Sequence, residues 1–253
     1  GKDLSTSVFD KKLSLYKDAN ITFVGCSRWL SGRAKKSYLL QDKTVLSIPN
    51  PIDTEVYHPM DQGTARELLG LPSGKKLLLF GALNVTDKRK GIDYLIAALR
   101  KIEKPDVELV VFGQVKDDIR GLFPVPIHSM GYLSDESKIV ALYNAVDIFI
   151  TSSLEENLPN TIMESMACGT PCVGFEIGGI PEMIDHKING YVTNYKDAND
   201  LANGIQWVLE HGDRQALSDA CVKKVQENYT DEVIAGKYLA LYQNILCKND
   251  GKL

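Results

Sequence analysis

The stretch "VDIFITSSLEENLPNTIMESMACGTPCVGFEI", residues 146–177, holds the pattern from which the fold follows. The apolar run "VDIFITS" gives way to a polar turn rich in Asn and Pro. A short helical pattern, "TIMESMAC" (161–168), comes next and is stopped by Gly169 and Pro171, and a second apolar run, "PCVGFEI", follows it. Neither run alternates between apolar and polar residues. Strands of that kind are covered on both faces, as in a parallel sheet with helices on each side.

The same unit recurs along the chain. "KLLLFGA" (76–82) precedes "GIDYLIAALRKI" (91–102), "VELVVFG" (107–113) leads to "GLFPVPIHSMGYL" (121–133), and "SDESKIVALYNA" (134–145) precedes "VDIFITS". The helical segments carry apolar residues at spacings of three and four: Ile92, Leu95, Ile96 and Leu99, then Leu201, Ile205, Val208 and Leu209. Repeated strand–helix units predict an α/β fold with a doubly wound parallel sheet. Ligands of such sheets bind beyond the carboxyl ends of the strands.

The first fifty residues read as helix ("FDKKLSLYKDA"), strand ("ITFVGCS"), helix ("RWLSGRAKKSYLL") and strand ("TVLSIPN"). "IPNPIDTEVYHP" (48–59) then breaks the pattern, with Pro49, Pro51 and Pro59 bracketing an extended connector. We therefore expect residues 1–49 to be the end of one domain, 50–60 a linker, 61–230 a second domain, and 231–253 a terminal helix and tail. That helix carries a stripe of Val233, Tyr238, Tyr242, Ile245 and Leu246 and is expected to pack on the linker side.

Composition narrows the function classes. The 253 residues are 44% hydrophobic and 25% charged with a net charge of -4, which argues against a nucleic-acid-binding surface. No apolar run approaches the roughly 18 residues of a membrane span, and "GKDLSTSVFDKKLSLYKDAN" has no secretory h-region. Five cysteines without a C-x-x-C pair suit a reducing, cytoplasmic setting, with Cys168 and Cys172 read as small buried hydrophobes. The four histidines show no metal-ligand spacing, and no Walker or G-x-G-x-x-G pattern occurs. Ser152–Ser153 lacks a nucleophile elbow.

Three places carry chemistry, each with an ordinary reading beside the functional one. Glu156 and Glu164 follow the "VDIFITS" strand, Glu164 in the opening turn of a helix that Asn160 or Thr161 can cap. Glu164 either complements the helix dipole or accepts hydrogen bonds from ligand hydroxyls, while Glu156 is a solvated loop charge or its partner in that task. The amides of Asn160 and Thr161 suit an anion. Lys88, Arg89 and Lys90 precede a helix beginning around Gly91, where cations oppose the dipole unless a diphosphate sits there. Gly178 and Gly179, with Pro181 in the following turn, either form a plain structural turn or bring backbone close to a phosphate or sugar.

Taken together, "EENLPNTIMESMACGTPCV…IGGIPEMI" resembles the E-x7-E region of retaining GT-B glycosyltransferases of family 4. "RKGIDYLIAAL" is similar to that family's Lys-Gly helix start, "IPNPIDTEVYHP" to its interdomain linker, and "NAVDIFITSS" to the strand leading to its glutamates. The likeness runs from about residue 20 to 245. It implies a Rossmann-like domain, the C-terminal half of a GT-B architecture, that binds a nucleoside diphosphate sugar. By the resemblance Glu164 holds the ribose, Glu156 contacts the transferred sugar, and Lys90 neutralises the diphosphate leaving group. Asn160, Thr161, Gly178 and Gly179 approach sugar and phosphate, and Gly131, Tyr132 and Leu133 line the base.

The resemblance implies no metal and no cofactor, with a UDP sugar as the first donor to consider. It implies transfer with retention to a saccharide or lipid-linked acceptor, in polysaccharide or glycolipid biosynthesis, with no nucleic-acid partner. Two placements stay open, free in the cytoplasm or peripheral at the inner membrane face; Lys35, Lys36 and Tyr38 belong either to such a face or to a solvated helix surface. Many members have Arg where this sequence has Ala82, so Arg89 or Lys88 is expected to replace its charge. With most of the acceptor-side domain missing from this sequence, the chain is expected to bind donor but transfer little sugar alone. A sugar-nucleotide epimerase and a non-catalytic nucleotide-sugar-binding module are the alternatives.

Overall fold

The computed structural model describes residues 3–84, 87–114 and 120–250. The chain opens with α1 (Leu4–Lys17), β1 (Thr22–Gly25), α2 (Arg28–Lys35) and β2 (Thr44–Ser47). β1 and β2 pair in parallel, from Thr22 opposite Thr44 to Gly25 opposite Ser47. α2 stops at Lys35, short of the expected Leu40, because Ser37–Leu40 turn on hydrogen bonds to residues three back.

After the proline-bracketed connector come α3 (Gln62–Leu69), β3 (Lys76–Asn84), α4 (Ile92–Leu99), β4 (Val107–Gln114) and β5 (Ile127–Gly131). Then follow α5 (Glu136–Ala145), β6 (Ile148–Thr151), α6 (Asn160–Ala167), β7 (Cys172–Phe175), α7 (Ile180–Met183) and β8 (Gly190–Thr193). α8 (Ala198–Leu209), α9 (Arg214–Asn228) and α10 (Asp231–Asp250) complete the described chain. The six strands β3–β8 form one parallel sheet in the order β5-β4-β3-β6-β7-β8. The winding direction reverses between β3 and β6, and the loops leaving those two strands flank the resulting crevice.

The unbroken apolar runs are explained by two cores, one on each face of the sheet. Leu77 and Leu79 of β3 join Tyr143 and Leu142 of α5 and Ile162 and Met166 of α6. Leu78 and Phe80, one residue out of phase, meet Leu95 and Leu99 of α4 and Leu201 and Ile205 of α8. Alternate side chains thus point to opposite faces, and both faces are dry.

At the amino ends of β3 and β6, Asp147 is buried and gathers charge from three elements. It accepts from Arg66 Nη2 of α3 and from Leu77 N, each at 2.8 Å. Arg214 of α9 also donates to it, and Lys76 Nζ lies 3.8 Å away. This cluster ties the sheet together at the end opposite the crevice.

The connector is stitched to the α9–α10 junction by Ile52 N donating to Tyr229 O at 2.9 Å and by a bridge between Ile52 and Thr230. α10 runs on beside β1 and β2, and a groove of about 780 Å³ lies between Leu241 and Ile245 on one side and Thr22, Thr44 and Leu46 on the other. The sheltered residues of α10 are Val233, Ile234, Tyr238, Leu241 and Ile245, so the expected Val233, Tyr238 and Ile245 are covered and the expected Tyr242 and Leu246 are not. Tyr242 and Leu246 are exposed because they fall one position off that face. No described helix is long and apolar enough to cross a membrane.

Candidate active site

The loop after β3 and the loop after β6 converge on each other. Lys88–Lys90 form a 3₁₀ turn of their own, capped by Asp87, rather than leading directly into the helix. Gly91 follows with φ +64° and α4 begins at Ile92. The turn is pinned to the β6 loop by its backbone: Leu154 N donates to Arg89 O at 2.7 Å, and Ser152 Oγ donates to Lys90 O at 2.9 Å. A Cβ at position 91 would collide with Ser152 O, so glycine is required both for its φ and for the close approach.

That pinning aims the Lys90 ammonium at the carboxylate of Glu156, with Nζ 2.6 Å from Oε1. Both side chains are partly buried. The other two cations of the turn behave differently. Arg89 forks onto Asp87, with Nη2 2.7 Å from Oδ2, and is well exposed. This pair holds the Asp87 carboxyl down at about 2. Lys88 is exposed, Ala82 lies on β3, and Val85 and Thr86 between them lie outside the described residues.

Glu156 rests on the turn after β7. Gly178 has φ +59°, and a Cβ there would strike Glu156 O. Gly179 N donates to Asn157 O at 2.5 Å. The Gly-Gly pair therefore serves as the floor beneath the Glu156–Asn157 backbone.

α6 starts at Asn160, with Pro159 in the capping position and no side-chain cap. Asn160 and Thr161 are thus its first two residues rather than the expected cap, and proline, lacking a side-chain acceptor, leaves the N–H groups of that turn without a side-chain partner. Glu164 lies one or two positions further in than expected, as the fifth residue of the helix. Its Oε2 accepts from the hydroxyl of the fully buried Tyr143 at 2.8 Å. Burial pushes the Glu164 carboxyl above its usual range, the Tyr143 hydrogen bond opposes this, and nearby Glu136 adds to it. Burial raises the phenol of Tyr57 on the connector, and the nearby Glu164 and Glu136 raise it further.

No hydrogen bond or ion pair joins Glu164 to Lys90 or Glu156 among the described residues. Gly131 ends β5 with φ +63° and open space around it, Tyr132 is exposed, and Leu133 packs against the core. These residues and Glu136 follow the carboxyl end of β5. Burial pushes the thiols of Cys168 and Cys172 up to about 12, so neither is a nucleophile at neutral pH.

Sequence reasoning did not single out Tyr143, Asn157 or Glu182. Asn157 Nδ2 donates to Cys26 Sγ at 2.9 Å, and Ser27 Oγ donates to Asn157 Oδ1 at 2.6 Å. Glu182 accepts from Arg28 N and Trp29 N, at 2.9 and 2.8 Å. The residue after a candidate catalytic glutamate was the available signal for Asn157; nothing local marks the other two.

Solved structures share this doubly wound, Rossmann-like parallel sheet. Anabaena HepE, solved in complex with UDP and glucose, superposes with a TM-score of 0.74 at 19% identity, covering 95% of this chain and 68% of that one. The model of the family "Glycosyl transferases group 1" matches residues 74–211, and the chain belongs to that family. It is similar to N-acetyl-alpha-D-glucosaminyl L-malate synthase of Bacillus anthracis, with 26% identity over 211 residues, 81% of this chain and 55% of the relative. It is also similar to spore coat protein SA of Bacillus subtilis, with 30% identity over 242 residues, 86% of this chain and 61% of the relative. The chain spans about half the length of the first of these relatives.

Proposed function

We propose that this chain is the donor-binding part of a glycosyltransferase that takes a sugar from a nucleoside diphosphate sugar and transfers it with retention to a saccharide or lipid-linked acceptor. The observation that carries the reading is the Lys90–Glu156 pair at the crevice between the β3 and β6 loops. An ammonium held there has a charge partner until a diphosphate arrives, and it then faces the negative charge that develops as the sugar–phosphate bond breaks. Glu156, released from Lys90, accepts from hydroxyls of the sugar. Glu164 keeps one oxygen on Tyr143 and offers the other to the ribose. The first-turn amides of α6 and the Gly178–Gly179 backbone complete the surround of phosphate and sugar, and the β5 end at Gly131–Leu133 receives the base.

The reading assigns the leaving-group charge to Lys90, with no metal or cofactor, and needs no protein nucleophile. The departing phosphate itself takes the acceptor proton on the face where the new bond forms. UDP is the first base to test, since HepE was solved with UDP and the folds superpose. Arg89, its charge matched by Asp87, reaches a diphosphate only by leaving that fork.

Isothermal titration of UDP, GDP and ADP into wild type, Lys90→Ala and Glu164→Gln tests this. Heat from one nucleotide that falls at least about tenfold in affinity in each variant is expected. Absence of binding by all three nucleotides, or equal affinity in wild type and variants, would overturn the assignment. Conversion of a free nucleotide sugar without acceptor would instead identify an epimerase.

A further inference from the structure

The four residues after β1 are joined to the turn that carries Glu156 by a closed circuit of hydrogen bonds. Ser27 is buried and works in two directions: its Oγ accepts from Leu30 N at 2.9 Å, capping α2, and donates to Asn157 Oδ1 at 2.6 Å. Asn157 in turn gives its Nδ2 to Cys26 Sγ and accepts from Gly179 N through its carbonyl. From Gly179 the chain enters α7, where Glu182 accepts from Arg28 N and Trp29 N at the start of α2. These are free N–H groups of a helix N-terminus, and a carboxylate there is favoured by the dipole.

The circuit leaves little slack. A Cβ at Gly179 would sit 3.1 Å from Ser27 Cβ, so the β1–α2 loop is in direct van der Waals contact with the Gly-Gly floor. Asn157 is the immediate neighbour of Glu156, whose carbonyl rests on Gly178. A displacement of Cys26–Trp29 therefore has to be transmitted to the backbone that aims Glu156 at Lys90.

We infer that Asn157 and Glu182 are positioning residues that lock the Cys26–Trp29 loop onto the Glu156 turn, so that nucleotide binding and seating of that loop depend on each other. The inference rests on the donor site proposed above. Coupling of this kind is reciprocal: whatever the nucleotide contributes to seating the loop, the seated loop contributes to nucleotide affinity.

Cys26 supplies a readout independent of heat. It is half-buried and touches Asn157, while Cys168, Cys172 and Cys221 are buried and Cys247 is exposed. In a Cys247→Ser background, iodoacetamide labelling of Cys26 is followed by mass spectrometry with and without the tightest binder among UDP, GDP and ADP. Saturating nucleotide is expected to slow labelling about fivefold, and Asn157→Ala or Glu182→Gln to abolish that protection and weaken the nucleotide by a similar factor. Ser27→Ala removes one bond of the circuit and the cap of α2; it should give intermediate protection with a lowered melting temperature, and circular dichroism at the labelling temperature confirms that every variant compared is folded.

If nucleotide binds wild type but labelling does not respond, or the variants keep full protection, the coupling is refuted while the donor site stands. If none of the three nucleotides binds wild type, the donor site itself falls and the coupling with it.

Discussion

Tyr143, fully buried in the core beneath the sheet, donates its hydroxyl to Glu164 Oε2 at 2.8 Å. The ring is wedged edge-on between Phe112 and Phe149, with centroids 6.2 and 5.9 Å away. A core residue thus fixes one oxygen of the Glu164 carboxylate. Tyr143→Phe keeps the packing and removes only the donor. It is expected to cost about 1 kcal/mol of stability, read by urea denaturation, and to weaken nucleotide affinity severalfold because the carboxylate is free to rotate. Unchanged affinity would show that Tyr143 only fills space.

Glu164 gives a pH-dependent test. Its folded-state carboxyl titrates above the ordinary 4.5, chiefly through burial. The folded state therefore binds more protons than the unfolded state from about that pH upward through the raised value, and this group's contribution to stability falls as pH rises across the window. Glu164→Gln, which cannot ionise, is expected to melt at or above the wild-type temperature at pH 7, with the difference shrinking below about pH 4.5. Its nucleotide affinity should nevertheless drop. A variant that melts lower at pH 7 than at pH 4, relative to wild type, contradicts this.

Gly91, Gly178 and Gly131 share a left-handed backbone but not their surroundings. Gly131→Ala meets open space and is expected to cost only the roughly 1–2 kcal/mol of a left-handed alanine. Gly91→Ala and Gly178→Ala would drive a methyl into Ser152 O and Glu156 O and should cost more, with loss of nucleotide binding. Chemical denaturation of the three variants ranks them; equal costs would refute the close approaches.

Lys90→Met leaves Glu156 without a cation, and Glu156→Gln leaves Lys90 without an anion. Lys90→Met is expected to weaken nucleoside diphosphate binding by about ten- to a hundredfold if about 1.4–3 kcal/mol of charge-assisted bonding is lost, whereas Glu156→Gln is expected to weaken the nucleotide sugar, whose hydroxyls lose an acceptor. Glu156→Gln should have the smaller effect on a nucleotide without sugar, since its partner there is the sugar. The reverse order, measured by titration with UDP and UDP-glucose, would reassign the two roles.

Much of the architecture can be read from the chain because the signals are local. Apolar runs without alternation around Leu77–Phe80 and Ile148–Ile150 require two covered faces, and helical spacing at Leu95 and Leu99 supplies one cover. Lys90 and Glu156 are legible as charges that each follow the carboxyl end of an apolar strand run. Their partners are less so, because long-range contacts leave no trace in spacing: Ser27 and Asn157 are 130 residues apart, and Glu182 and Arg28 are 154 apart. Tyr143 reads as an ordinary core aromatic, and Asp147 disappears inside an apolar run although it is the most heavily shared carboxylate of the sheet. Arg89 is indistinguishable from Lys90 in sequence; only the fork onto Asp87 separates them. On α10 the misplacement of Tyr242 and Leu246 has the same origin, since a helix with apolar residues on several sides does not announce which side is covered.

The Asp147 cluster has a consequence for how such a scaffold changes over time. By joining α3, β3 and α9 to the start of β6, it holds the tail of the sheet shut without help from the opposite rim. The rim keeps its shape through close approaches of its own at Gly91 and Gly178, so substitution there is confined to the positions off those two turns.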